Sequence, residues 1–148
     1  VDGEGSFNIG YAVSPRGGRM LQPCVQITNS DFSMVEEAIR ICHGVGLDGF
    51  VEQRVVGTNR PIKHLRWRGF KRIRALLEVI LPYLRTDFKR QDAVEMLEFV
   101  SSRLGGSTND HYRPREVEIF TAMRTRHHNP PSPEILRDLM PNPDCQVG

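Results

Sequence analysis

Two stretches of apolar–polar alternation, each folded back by a turn and followed by an amphipathic run of helix length, constrain this chain more than any other feature. Phe7, Ile9, Tyr11 and Val13 alternate with small or polar residues over 6–14, the period of a strand with one buried face. Residues 15–19, Pro-Arg-Gly-Gly-Arg, read as a turn with a basic tip. Leu21, Pro23, Val25 and Ile27 then alternate with Gln22, Cys24, Gln26 and Thr28, which predicts a second strand antiparallel to the first. Pro23 has no N–H to give a ladder, so it is expected at an edge or an irregularity. The unit then recurs. A strand over 49–56 and a turn over 57–61 lead to a strand over 63–69, where Leu65 and Trp67 alternate with His64, Arg66 and Arg68.

Helical periodicity fills the remainder. Ser33 and Glu36 fit a capping box ahead of a helix with Val35, Ala38, Ile39 and Cys42 on one face, stopped by Gly44 and Gly46. Ile73, Leu76, Leu77, Ile80 and Leu81 mark a second helix, and Ala93, Met96, Leu97, Val100 and Leu104 a third. A weaker helix covers about 113–125 through Val117, Phe120 and Met123. Prolines recur from residue 130 onward, so 126–148 reads as a proline-rich tail with a short helix over 133–140. The order predicts an α+β domain over 1–125, a four-stranded antiparallel sheet with helices on its apolar face. Its other face is left to polar residues.

The bulk numbers narrow the class. At 148 residues, with 39% hydrophobic and 26% charged residues, the chain suits one folded domain rather than a disordered segment. No apolar run has membrane-spanning length, so no membrane partner is expected. Three well-separated cysteines (Cys24, Cys42, Cys145) fit an intracellular, reducing compartment better than a disulfide framework. Cys42 and His43 are adjacent, but no second pair stands at zinc-ligand spacing. His111, His127 and His128 likewise lack partner spacing and are expected to be exposed. A net charge of +2 is weak, so a nucleic-acid role must rest on where the basic residues sit.

Val1-Asp2-Gly3-Glu4-Gly5-Ser6-Phe7 stands immediately before the first strand. It resembles the end of the LAGLIDADG motif of homing endonucleases in its form ending D-G-E-G-S-F, with the motif's first residues falling before Val1. The resemblance takes in the ββαββαα order, the Leu65-Arg66-Trp67-Arg68 strand, the Leu81-Pro82-Tyr83-Leu84-Arg85 segment and Lys89-Arg90-Gln91, roughly 1–125. It implies a saddle-shaped sheet and a metal-dependent, site-specific endonuclease acting on double-stranded DNA, of the kind encoded within introns or inteins. One motif per chain implies a homodimer through the motif helix, on a near-palindromic site. The chain as given, lacking the start of that helix, is expected to sediment as an inactive monomer.

The resemblance also implies roles. Glu4 is the expected ligand for Mg²⁺ or another divalent cation, with the Gly3 carbonyl as a further ligand. Two such carboxylates near a twofold axis repel unless a cation sits between or beside them, and hard oxygen donors suit Mg²⁺. Asp2, two residues from Glu4, would face elsewhere and be structural. Asn29 is expected to order water beside the metals or to cap the following helix. Ser33 occupies a position often basic in the family. Lys89, rather than Arg90, is the expected active-site lysine; a surface lysine is the plainer reading. For DNA contact, alternation offers Ser6, Asn8 and Ser14 on the first strand, Gln22 and Gln26 on the second, and Arg54, His64, Arg66 and Arg68 on the second pair. Arg16 and Arg19 join them at the hairpin tip. Arg, Asn and Gln are the side chains that read guanine and adenine in the major groove. An ordinary solvated strand face is the alternative reading of Arg66 and Arg68. The same fold without catalysis would serve a DNA-binding regulator, or a maturase binding its intron RNA.

Overall fold

The computed structural model describes residues 5–13, 19–29, 32–54, 61–106 and 112–139. Four strands form one antiparallel sheet: β1 (Gly5–Val13), β2 (Arg19–Asn29), β3 (Phe50–Arg54) and β4 (Ile62–Arg68), in the order β1-β2-β4-β3. Helix α1 (Phe32–Gly44) joins the two strand pairs. Helix α2 (Phe70–Ile80), a 3₁₀ turn (Leu81–Tyr83), α3 (Asp87–Leu104), α4 (Pro114–Arg126) and α5 (Pro133–Leu139) follow.

Alternation settles the two faces. Phe7, Ile9, Leu21, Val25, Ile27, Leu65 and Trp67 are buried on one side against Val35, Leu77, Met96, Phe99 and Phe120 of the helices. Trp67 also satisfies its indole N–H on the Leu47 carbonyl at 2.9 Å, as a buried Trp must. Among the described residues, no helix residue of the core cluster lies on the other side of the sheet.

Pro23 pairs with Ile9, within a central strand. The β2–β4 ladder, however, stops at Cys24↔Arg68, so Pro23 lies one residue past its end. Leu21, of the same strand parity, gives its N–H to the Tyr112 hydroxyl at 2.7 Å rather than to β1. The nitrogen of Pro23 therefore points where no strand asks for a donor, which satisfies the expected irregularity.

Three local expectations need correction. Ser33 is the second residue of α1 and not its cap. The 126–148 segment is not simply a tail: α5 buries Ile135 and Leu139 in the core, so the folded body runs through residue 139. His127 is half-buried rather than exposed, bonded to Asp92 at 2.6 Å and stacked on Phe88. Cys42 packs against the core. Burial and the nearby Asp48 charge push its thiol upward.

Gly49 marks where the chain enters β3 under the strand beside it. A Cβ there would lie 2.7 Å from the Arg66 carbonyl and 3.0 Å from the Trp67 ring. Gly49→Ala is expected to destabilise the fold by about 1–3 kcal/mol, the usual cost of overpacking, read as a lower urea midpoint with unchanged slope.

Candidate nucleic-acid interface and active-site end

The helix-free face of the sheet is ordered in rows by the strand register. Ser6, Gln26, Arg66 and Phe50 form one row, Asn8, Cys24 and Arg68 the next, and Thr28, His64 and Glu52 a third. Asn8, Gln22 and Arg68 are exposed, while Ser6, Gln26 and Arg66 are half-buried. Gly10 keeps the surface low beside Gln22, and a hollow of about 270 Å³ opens between Asn8, Gln22, Gln26, Arg66 and Arg68.

Arg66 is the fixed point of this face. Its Nε donates to Gln26 Oε1 and its Nη1 to Glu52 Oε2, each at 2.9 Å. Two acceptors on neighbouring strands hold the guanidinium plane, which lowers the entropy lost when such a fork engages a ligand. Arg68, one step along the same face, is exposed.

The structure sorts the other candidates. His64 lies on the open-face row but is only 6% exposed, bound through Nδ1 to Thr28 Oγ1 at 2.6 Å. It offers little surface to a ligand and shapes the floor instead. Arg19 shares strand parity with Leu21 and so falls on the helix face. It pairs with Asp138 of α5 at 2.8 Å and lies over the Tyr11 ring. That hydrogen bond raises its pKa despite some desolvation, and it is not placed for the reading role expected at the tip. Arg54 pairs with Ile62 at the end of β3; its side chain, and all of Gly3, Glu4, Ser14 and Arg16, lie outside the described residues. Phe50 pairs with Arg66 and is 58% exposed, with Arg72 of α2 over its ring; being apolar, it carries no signal of this in the alternation. The alternation argument passed over Thr28, the partner of His64.

One end of the sheet gathers the residues expected at an active site. The Lys89 ammonium, in the first turn of α3, donates to the carbonyl of Gly5, the residue that directly follows Glu4. Asn29 ends β2 two residues beyond Ile27, the partner of Gly5. Its side-chain amide donates to Met34 Sδ at 3.1 Å. A lysine and an amide from two other elements thus stand at the end where the motif enters the sheet.

Among the described residues, no group of three or more His, Cys, Asp or Glu could hold a metal ion. The Gly5 carbonyl is already engaged by Lys89. Glu4 and the Gly3 carbonyl, the ligands that the resemblance implies, are hard oxygen donors of the kind that suits Mg²⁺, and both lie outside the described residues.

No family model and no curated protein sequence matches the chain. Solved structures do. The homing endonuclease I-CvuI in complex with its target in the presence of Ca superposes with a TM-score of 0.67 at 18% identity, covering 94% of this chain and 86% of that one. The archaeal intron-encoded homing endonuclease I-Vdi141I, complexed with DNA, gives 0.68 at 17% identity, covering 93% and 88%. The LAGLIDADG homing endonuclease I-GzeII, in complex with its DNA target, gives 0.65 at 19% identity over 95% of this chain. The fold is that of the LAGLIDADG homing endonucleases. Within that fold two chain lengths occur, because the match fills only 47% of I-GzeII. The 148 residues cover 88% of I-Vdi141I and 47% of I-GzeII.

Proposed function

We propose that the protein is a site-specific endonuclease of double-stranded DNA, a homing endonuclease that hydrolyses phosphodiesters as a homodimer. The observation that carries this reading is the joining of two parts in one sheet. A polar, arginine-bearing open face runs into the end where Lys89 meets the residue after Glu4. A single carboxylate per chain calls for a second copy, and twofold symmetry for a near-palindromic site.

The chain's own residues divide the work. The open face binds and orients the duplex, with Arg66 and Arg68 presented to base edges or phosphates and Asn8, Gln22 and Gln26 beside them. Glu4, with the Gly3 carbonyl, would hold a divalent cation, Mg²⁺ being the fitting one. When bound, that ion supplies Lewis-acid polarisation of the scissile phosphate. Lys89 places a positive charge beside the same end, where charge develops on phosphate oxygens. Asn29 donates from the strand end.

The test is a binding selection from a randomised duplex library, without Mg²⁺, on a chain preceded by a complete motif helix and with folded RNA as competitor. The expected result is recovery of a near-palindromic duplex, with affinity falling steeply as salt rises. Preference for the RNA would instead make the protein a maturase-like binder. On the recovered duplex, Arg66→Ala is expected to weaken binding by about 1–3 kcal/mol and to relax sequence preference over one or two base pairs. Selection repeated with the variant checks this.

A further inference from the structure

The first turn of α3 carries Lys89, and the C-terminal end of α4 grips that turn on both sides of it. His127 stacks its ring on Phe88, with centroids 5.4 Å apart and planes inclined by 25°. The same ring gives Nε2 to Asp92 Oδ2 at 2.6 Å. Arg126 places Nε and Nη2 on Asp92 Oδ1 at 2.9 and 2.7 Å, and bonds Glu95 as well. Phe88 and Asp92, four residues apart on one face of α3, are both held by His127; Lys89 follows Phe88 directly and lies one turn before Asp92, so the backbone that carries it is fixed on either side.

Asp92 is only 1% exposed, and such a carboxylate is costly to bury unless both oxygens are met. Here both are. Burial works against the Arg126 charge, but its bonds to Glu95 and Asp92 outweigh this and raise its pKa. Buried ion pairs are poor devices for stability alone, since apolar packing of the same volume does as well or better. The α3–α4 interface already has Met96, Phe99 and Val100 on one side and Phe120 and Met123 on the other. What a charged latch adds at this end of α3 is a fixed direction for one turn.

We propose that Asp92, acting through His127 and Arg126, is a positioning residue that holds the Lys89 ammonium on the Gly5 carbonyl. The proposal rests on the reading of Glu4 and Lys89 as parts of a DNA-cutting site. It assigns Asp92 no contact with DNA.

The sequence has three lysines, Lys63, Lys71 and Lys89, so ¹⁵N-lysine labelling gives a readable set of ammonium signals, with Lys89→Arg to assign one. In the 148-residue chain Lys89 is expected to give a slowly exchanging ammonium signal. Asp92→Asn should speed that exchange by about tenfold or more, as a group freed from its bond. His127→Leu, at a half-buried position after the helix, removes both the stack and the bond and carries the test if Asp92→Asn fails to fold. In the form with a complete motif helix, both folded variants should lower kcat for the recovered duplex by about tenfold, with KM unchanged, as misplacement of a catalytic group does. Folded variants that keep the Lys89 signal and kcat of the unaltered protein overturn the proposal and make the cluster a structural clamp. If the Lys89 signal is lost in the variants but no form cuts DNA, the positioning stands and the endonuclease reading fails.

Discussion

Glu4→Gln is expected to slow cutting of the recovered duplex by about a thousandfold, while changing its binding by no more than a few-fold. Glutamine keeps the shape and removes the charge. A cation-ligating carboxylate contributes several kcal/mol of charge stabilisation in the transition state, and each 1.36 kcal/mol is about tenfold in rate. Binding should survive because the proposed reading puts the duplex contacts on the open face of the sheet and not at the motif end. Single-turnover cleavage beside a binding titration on the same duplex separates the two quantities. Equal cutting by the variant would make Glu4 a helix-end acid of structural value only.

The second large effect is in the core. Trp67→Ala is expected to cost about 3–5 kcal/mol, the range for removing a buried aromatic side chain. That is a large part of a typical domain's total stability. Trp67 is 2% exposed, its indole N–H meets the Leu47 carbonyl, and its ring lies against the entry to β3 at Gly49. It also stands between Arg66 and Arg68 in β4, so its loss should loosen the very strand that presents both arginines. Urea unfolding followed by far-UV circular dichroism measures the cost, and a loss under about 1 kcal/mol would contradict this packing.

The layering of this protein was legible in its sequence because strand alternation is a strict code. Leu65 and Trp67 face the helices and Arg66 and Arg68 do not, as the pattern of β4 required. Other features lie outside what that code carries. Arg19 was placed by its position at a basic hairpin tip, although its parity with Leu21 put it on the helix face, where Asp138 receives it. His64 was placed on the correct face, but alternation carries no information about depth, and its bond to Thr28 depends on the register between β2 and β4. The recurrent prolines after residue 129 hid Ile135 and Leu139, a pair four residues apart that seats α5 in the core. The contact between Lys89 and Gly5 spans 84 residues. No local pattern encodes it; the family resemblance points to Lys89 as an active-site lysine but not to its partner. The latch on α3 was beyond sequence reading for the same reason: Asp92 and His127 meet across two helices, and each looks like an ordinary surface residue in isolation.

The measurement that tests the central claim most directly is cleavage of the selected duplex in Mg²⁺ by the protein with its complete motif helix, with the ends on both strands sequenced. The account predicts recurrent staggered cuts placed symmetrically about the centre of a near-palindrome. A duplex that is bound tightly yet stays intact in Mg²⁺ would contradict it, and would leave a DNA-binding regulator built on a nuclease fold.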